Sequence, residues 1–180
     1  MKSSLTRRQF VTTGALASAM GGAALATGCK AGKPANWDFL TDAQARTLTA
    51  ICDQIIPADD FPSASQAGAL VYIDRQLARR YRRHRNAYRD GLEQAEEMSR
   101  KRFGKDLPDL TAPQLLDLVA AIDKENAAFF ALVRTHTFEG YYGTPRHGGN
   151  RDAVSWKMLG MAEPPLRGRA QYDSRKGSAS

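Results

Sequence analysis

Residues 65–95 read SQAGALVYIDRQLARRYRRHRNAYRDGLEQA, and in them Leu70, Ile73, Leu77, Tyr81, His84, Tyr88, Leu92 and Ala95 recur in steps of three and four. Steps of that size place side chains on one face of a 3.6-residue turn, with the intervening arginines and acids on the others. The stretch predicts helix from near Ser65, with a buried stripe turned toward a core. The pattern fits one long helix and also two helices broken between Arg83 and Asn86. His84, flanked on the stripe by two tyrosines, is expected to be a satisfied core histidine, because no second metal-ligating residue type stands three or four positions away.

The same period continues on both sides. Upstream, Leu40-Thr41-Asp42-Ala43-Gln44 offers an N-cap threonine with a glutamine three residues on, the pattern of a reciprocal capping bond. Leu48, Cys52 and Ile55 then repeat at helical spacing, and Pro57 ends that helix by excluding its predecessor from helical geometry. Cys52 falls on the apolar face, where a small buried thiol is expected. Downstream, Leu107-Pro108-Asp109 interrupts, and Thr111 caps a segment with Pro113 in its first turn and Leu115, Leu118, Val119 and Ile122 inside. A segment from Glu125 to Glu139 carries Phe129, Phe130, Leu132, Val133, His136 and Phe138 almost all round, which predicts the central helix, with Gly140 as its C-terminal stop. No run alternates with a strand period. The expected fold is all-α, a compact bundle of about four to six helices with a Gly/Tyr-rich C-terminal loop.

The chain of 180 residues is 42% hydrophobic and 25% charged, values of an ordinary globular domain, and its net charge is +7. Three of the 26 bases, Lys2, Arg7 and Arg8, lie in an acid-free N-terminal segment; the other 23 face 19 acids, a balance of +4. That excess sits in one run, Arg75 to Arg89, without the aromatic interleaving of a nucleic-acid motif, and no nucleic-acid partner is inferred. The run is open to an acidic partner face, to anionic lipid head groups or to water alone.

Thr6-Arg7-Arg8-Gln9-Phe10-Val11 pairs two arginines with a large apolar residue two positions on and resembles the twin-arginine export signal. Val11 to Ala26 is apolar but thinned by glycine and threonine, and is shorter than the ~20 residues needed to span a bilayer. The twin-arginine translocase carries folded proteins, and a periplasmic location follows as the expectation. Ala24-Leu25-Ala26 fits a cleavage site, whereas Ala26-Thr27-Gly28-Cys29 fits a lipoprotein box that would put an acyl anchor on Cys29. The expected organisation is a signal peptide over 1–28, a linker over 29–39, a helical domain over 40–162 and an extended or disordered tail over 163–180.

Motifs for chemistry are scarce. The sequence holds no CxxC, CxxCH or HExxH, and no paired ExxH of the di-iron kind. His136 and Glu139 form one HxxE pair, expected to make a helix-end contact. The glycines between 143 and 149 form neither a dinucleotide fingerprint nor a P-loop, and no GxSxG elbow is present. Catalytic, cofactor-binding and metal-binding residues are therefore expected to be none in this chain. An enzyme acting through His136, Glu139 or His147 is the outlying reading. The segment Tyr141-Tyr142-Gly143-Thr144-Pro145-Arg146-His147-Gly148-Gly149-Asn150, followed by Trp156, is unusually aromatic and glycine-rich for a loop. Tyr141, Tyr142, Gly143, Pro145, Asn150 and Trp156 are its candidate interface residues, with a loop folded back on its own helices as the structural alternative.

Ile55-Ile56-Pro57-Ala58-Asp59-Asp60, Ala67-Gly68, Tyr72-Ile73-Asp74-Arg75-Gln76-Leu77, Phe138-Glu139-Gly140-Tyr141-Tyr142-Gly143-Thr144-Pro145 and Gly148-Gly149-Asn150 together resemble the gluconate 2-dehydrogenase subunit 3 family, from about Leu40 to Gly160. The resemblance implies the small subunit of a membrane-bound dehydrogenase for sugars, sugar acids or alcohols. It implies a large FAD-containing subunit of GMC type that performs the oxidation, and in many such complexes a multihaem cytochrome c subunit. It further implies that the large subunit travels on the small subunit's export signal, the role that Arg7, Arg8 and Phe10 would fill. A stand-alone periplasmic lipoprotein with a structural or binding role is the alternative.

Overall fold

The computed structural model describes residues 37–161; the leader with Arg7, Arg8 and Phe10, the linker cysteine Cys29 and the C-terminal tail lie outside the described residues. Among the described residues there are six α-helices, joined by turns and short 3-10 segments, and no strand, as the all-α reading requires. α1 (Asp42–Ile55) opens on the expected capping box: the Thr41 hydroxyl accepts the Gln44 N–H at 3.2 Å, and Gln44 Oε1 accepts the Thr41 N–H at 3.1 Å. It closes at Ile56, before Pro57.

α2 (Ala69–Ala78) starts later than Ser65, because residues 64–68 form turns that end on Gly68 at φ +86°. The seam then divides. A 3-10 turn, Arg82–His84, precedes α3 (Arg85–Phe103). The cause of the break lies in the basic run itself. Arg85 donates from Nε to Leu77 O (2.8 Å) and from Nη2 to Ala78 O (3.1 Å), while Arg82 Nε reaches the same Ala78 oxygen at 3.1 Å. These guanidiniums satisfy the carbonyls that a further turn of α2 would have used, and their charge suits a helix C-terminus. Arg85 and Arg89 also lie over the Phe39 ring, 5.2 and 5.3 Å from its centroid. Tyr81 and His84 are therefore carried into the connection and are only half-buried, which corrects the expectation of a core histidine at 84.

α4 (Ala112–Glu125) carries Pro113 in its first turn behind a second capping box, made by Thr111 and Gln114. α5 (Ala127–Tyr142) packs against all five other α-helices and is the central helix the sequence predicts. Its end is not Gly140. The helix runs two residues further and closes at Gly143. Gly140 instead sits where α5 crosses α2: a Cβ there would lie 2.9 Å from Ala69 Cα and 3.1 Å from Ala69 O. The glycine serves close approach between two backbones, not termination. Tyr141 and Tyr142 accordingly form the last turn of α5 and are not part of the loop. α6 (Val154–Met158) completes the set.

The core is assembled from the predicted faces. Leu48, Ile51, Ile73, Leu77, Leu118, Ile122 and Val133 are all fully or almost fully buried, each contributing ~1.5–3 kcal/mol relative to exposure. One carboxylate joins them. Asp74, buried on α2, accepts the backbone N–H groups of Asp38 (2.7 Å), Phe39 (2.9 Å) and Leu40 (2.9 Å), tying the incoming chain to the middle of the bundle. Cys52 is the expected buried thiol, 3.2 Å from Thr137 Oγ1, and burial pushes it up to about 12. Among the described residues no helix is long and apolar enough to cross a membrane.

Candidate docking site at the junction of the second and fifth helices

The separated motif segments meet at one place, where the start of α2 faces the end of α5. After α5, the chain makes a 3-10 turn over Pro145–His147 and folds back across both helices. Asn150 N donates to Gly140 O at 2.7 Å, and Arg151 N donates to Ala67 O at 2.8 Å. The approach tolerates no side chains at the contact: a Cβ on Gly149 would stand 2.0 Å from Gly140 O, and one on Gly68 2.8 Å from Gly148 O. Asn150 is wholly buried and serves as the lock. Its amide donates from Nδ2 to Gly143 O at 2.8 Å and accepts the Ser155 N–H at 3.0 Å, bridging the end of α5 and the start of α6. Asn150, Asp152 and Ala153 all have positive φ, of 44°, 57° and 53°. Such a turn costs about 1–3 kcal/mol per residue unless its surroundings hold it, and here the Asn150 bonds do so.

The lock sorts the candidate interface residues into two sets. Tyr141 is 2% exposed and donates its hydroxyl to Pro62 O at 2.9 Å, so it fastens the turn between α1 and α2 to α5. Asn150 likewise faces inward, and Gly143 is the carbonyl it binds. Tyr142, by contrast, is 40% exposed, and Phe138, one turn earlier, is 42% exposed. Their rings lie 6.2 Å apart. Trp156 is half-buried and donates Nε1–H to Tyr142 O at 2.9 Å, which clamps α6 to this end of α5. Pro145 is half-buried on the rim of the same turn. The outcome is an aromatic ridge on a rigid support. Tyr142 and Trp156 are among the interface aromatics expected from the sequence, whereas Phe138, expected in the central helix's apolar surround, joins them on the ridge; its spacing of four from Tyr142 is the signal for that.

A second polar cluster lies on the opposite flank of α5. His136 is buried, stacked on Tyr81 with centroids 4.5 Å apart, and its Nδ1 is 3.0 Å from the Tyr88 hydroxyl. Glu139 Oε2 accepts the hydroxyls of Tyr72 and Tyr81, each at 3.1 Å. His136 and Glu139 thus tie α5 to α2, to the 79–84 connection and to α3, which corrects the expectation of a helix-end contact. Burial is the main force lowering the His136 pKa from 6.5 to about 4; Glu139 pulls it back up, and His84 and Arg83 add a further push down. The imidazole is neutral at physiological pH. Burial also raises the Tyr72 and Tyr88 hydroxyls above their ordinary range. The tyrosines stay protonated as donors to Glu139 and His136, an arrangement that orients side chains and leaves no activated nucleophile. Among the described residues no group of three or more His, Cys, Asp or Glu side chains is placed to hold a metal ion. His147, on the exposed 3-10 turn after α5, is not among the residues that line the cleft beside this cluster.

Asp74 and the glycine contacts are the parts that sequence reasoning left without a role. Asp74 could have been found as the lone acid beside Ile73 and Leu77 on a buried stripe; the contacts of Gly140 with Ala69 and of Gly68 with Gly148 join positions far apart in the chain, and their spacing carries no such signal.

Comparison with known proteins finds no matching curated protein and no matching solved structure. The family description gluconate 2-dehydrogenase subunit 3 matches residues 42–163. That span holds the Asp74 anchor, the glycine crossing and the Asn150 lock, and covers well over half of the chain. The chain belongs to the gluconate 2-dehydrogenase subunit 3 family, a family of subunits of dehydrogenase complexes.

Proposed function

We propose that this chain is the non-catalytic small subunit of a periplasmic, FAD-dependent dehydrogenase complex acting on sugars, sugar acids or alcohols. It escorts the folded flavoprotein through the twin-arginine translocase and remains bound to stabilise it. The observation that carries the reading is the exposed pair Phe138 and Tyr142, set on the end of α5 and backed by Trp156. Large aromatics held rigidly at a surface are the usual anchors of a protein interface, because they bury much area and lose little side-chain freedom. The segment from Phe138 to Asn150, which lies inside the family match, builds their support. The flavin and the substrate pocket belong to the large subunit, and a multihaem cytochrome c would take the electrons onward.

Arg7, Arg8 and Phe10 supply the export half of the proposal. A flavoprotein must fold around its cofactor in the cytoplasm, and only a route for folded cargo then suits it. Replacing Arg7 and Arg8 together by lysine tests this. Both subunits should be retained in the cytoplasm, still as a complex. Appearance of the flavoprotein in the periplasm of that strain would refute the escort.

A further inference from the structure

The returning chain also gathers cations beside α2. Arg75 and Arg79 stand one turn apart on α2 and its C-cap, and the 3-10 turn Pro145–His147 brings Arg146 and His147 against them, enclosing a cleft of about 250 Å³ that Asp38 and Gln76 complete. Like charges four residues apart on a helix repel. Arg75 and Arg79 nevertheless remain together, and among the described residues neither they nor Arg146 makes a salt bridge, while arginines elsewhere do, such as Arg100 and Arg102. Three guanidiniums therefore face a single carboxylate, an excess of two positive charges. The position of Arg75 is built in. Gly148 turns the chain at φ +98°, a conformation that favours glycine, and Arg75 Nη1 lies 2.8 Å from the place a Cβ would take, so the guanidinium lies against the turn.

We infer that this cleft binds a phosphate group. A phosphate monoester carries about −1.5 to −2 charges at neutral pH, which matches the excess. Its oxygens accept the paired N–H groups of arginine in the planar geometry that the fork presents. The volume suits a small ligand rather than a polymer. Gln76 and His147 add further hydrogen-bonding groups to the cleft. The chemistry is common to a free phosphate compound and to a phospholipid head group, and the choice between them is experimental.

The test uses the full chain and two probes. One is inorganic phosphate, followed by calorimetry. The other is sedimentation with phosphatidylcholine vesicles, with and without phosphatidic acid, whose head group is a phosphate monoester. Arg79→Gln and Arg146→Gln, both at exposed positions, should melt as the parent does and weaken binding about tenfold or more, the loss of one charge-assisted bond. Arg134→Gln removes the same charge from an exposed site outside the cleft and should leave binding unchanged. Binding of phosphate in solution identifies a free phosphate ligand; binding only to the anionic vesicles identifies a head group. Failure of both probes, undiminished binding in the two cleft variants, or an equal loss in Arg134→Gln overturns the inference.

Discussion

Gly149 lies so close to Gly140 that a Cβ on the former would stand 2.0 Å from the carbonyl oxygen of the latter. The contact is backbone against backbone, next to the Asn150 N–H bond to that same oxygen. Gly149→Ala must break this bond or part α5 from the returning chain, and should cost ~2 kcal/mol or more. Gly140→Ala should cost a similar amount by spreading the α2–α5 crossing. Gly104 is the control: its φ is +66° but nothing lies within 4 Å of its Cβ position, so Gly104→Ala should cost only ~1–2 kcal/mol from backbone conformation. Urea unfolding of the three variants ranks them, and a Gly149→Ala as stable as Gly104→Ala would show that the junction is not closed as described.

The buried His136 predicts a pH dependence with a definite sign. As pH falls, the unfolded chain takes up this proton at about 6.5, whereas the folded chain resists until about 4. Between those values the unfolded state binds more protons, so the contribution of His136 to stability is lost as pH falls through the window and changes no further below it. His136→Gln keeps an acceptor for the Tyr88 hydroxyl and removes the titration. Its urea midpoint should fall less than that of the parent between those two pH values; identical slopes would mean that His136 titrates freely.

Much of this fold is legible in the sequence because helix periodicity and caps are local signals. The capping box at Thr41, the N-cap at Thr111, the stop at Pro57, the inner faces of α1 and α4 and the central place of α5 follow from spacing alone. The failures are non-local. Nothing in the period of residues 65–95 says that Arg82 and Arg85 will turn back on α2 and take its last carbonyls. Gly140 reads as a helix stop because glycine often is one, and only the passage of Ala69 beside it gives the residue its other meaning. The same holds for Tyr141 and Tyr142, adjacent in sequence and a natural pair of loop anchors, which a helical turn sends one inward and one outward.

That division makes a prediction about the interface. Phe138→Ala and Tyr142→Ala should leave the melting temperature of the isolated chain nearly unchanged, since both rings are substantially exposed. Each should weaken association with the flavoprotein by ~2 kcal/mol or more. Tyr141→Phe should do the reverse, losing about 1 kcal/mol of stability with the bond to Pro62 O while leaving association intact. Melting curves and titrated pull-downs of the three variants separate the two effects.

Cys52 should be inert in the folded protein. Its thiol is buried beside Thr137 and pushed up to about 12, so the reactive thiolate is scarce at neutral pH. In a Cys29→Ser background a maleimide should label it only in denaturant, as read by intact mass; rapid labelling of that variant in its native state would show that α1 and α5 open readily.

The Asp74 anchor tests how the domain begins. Asp74→Asn removes the charge from an acceptor of three backbone N–H groups and can turn a donor toward them. The loss should be ~2 kcal/mol or more, and residues 38–40 should become sensitive to limited proteolysis. A variant as protected as the parent would mean that the segment is held by other contacts.

The central claim is that this chain works as a subunit of a flavin-dependent dehydrogenase, and the most direct measurement is purification of the tagged chain from its native host with an absorption spectrum and a dye-reduction assay on what co-elutes. The account predicts a yellow complex, larger than this chain alone, that reduces the dye with a sugar, sugar acid or alcohol. Recovery of the folded chain alone, colourless and without dehydrogenase activity, from cells that express the flavoprotein would contradict it.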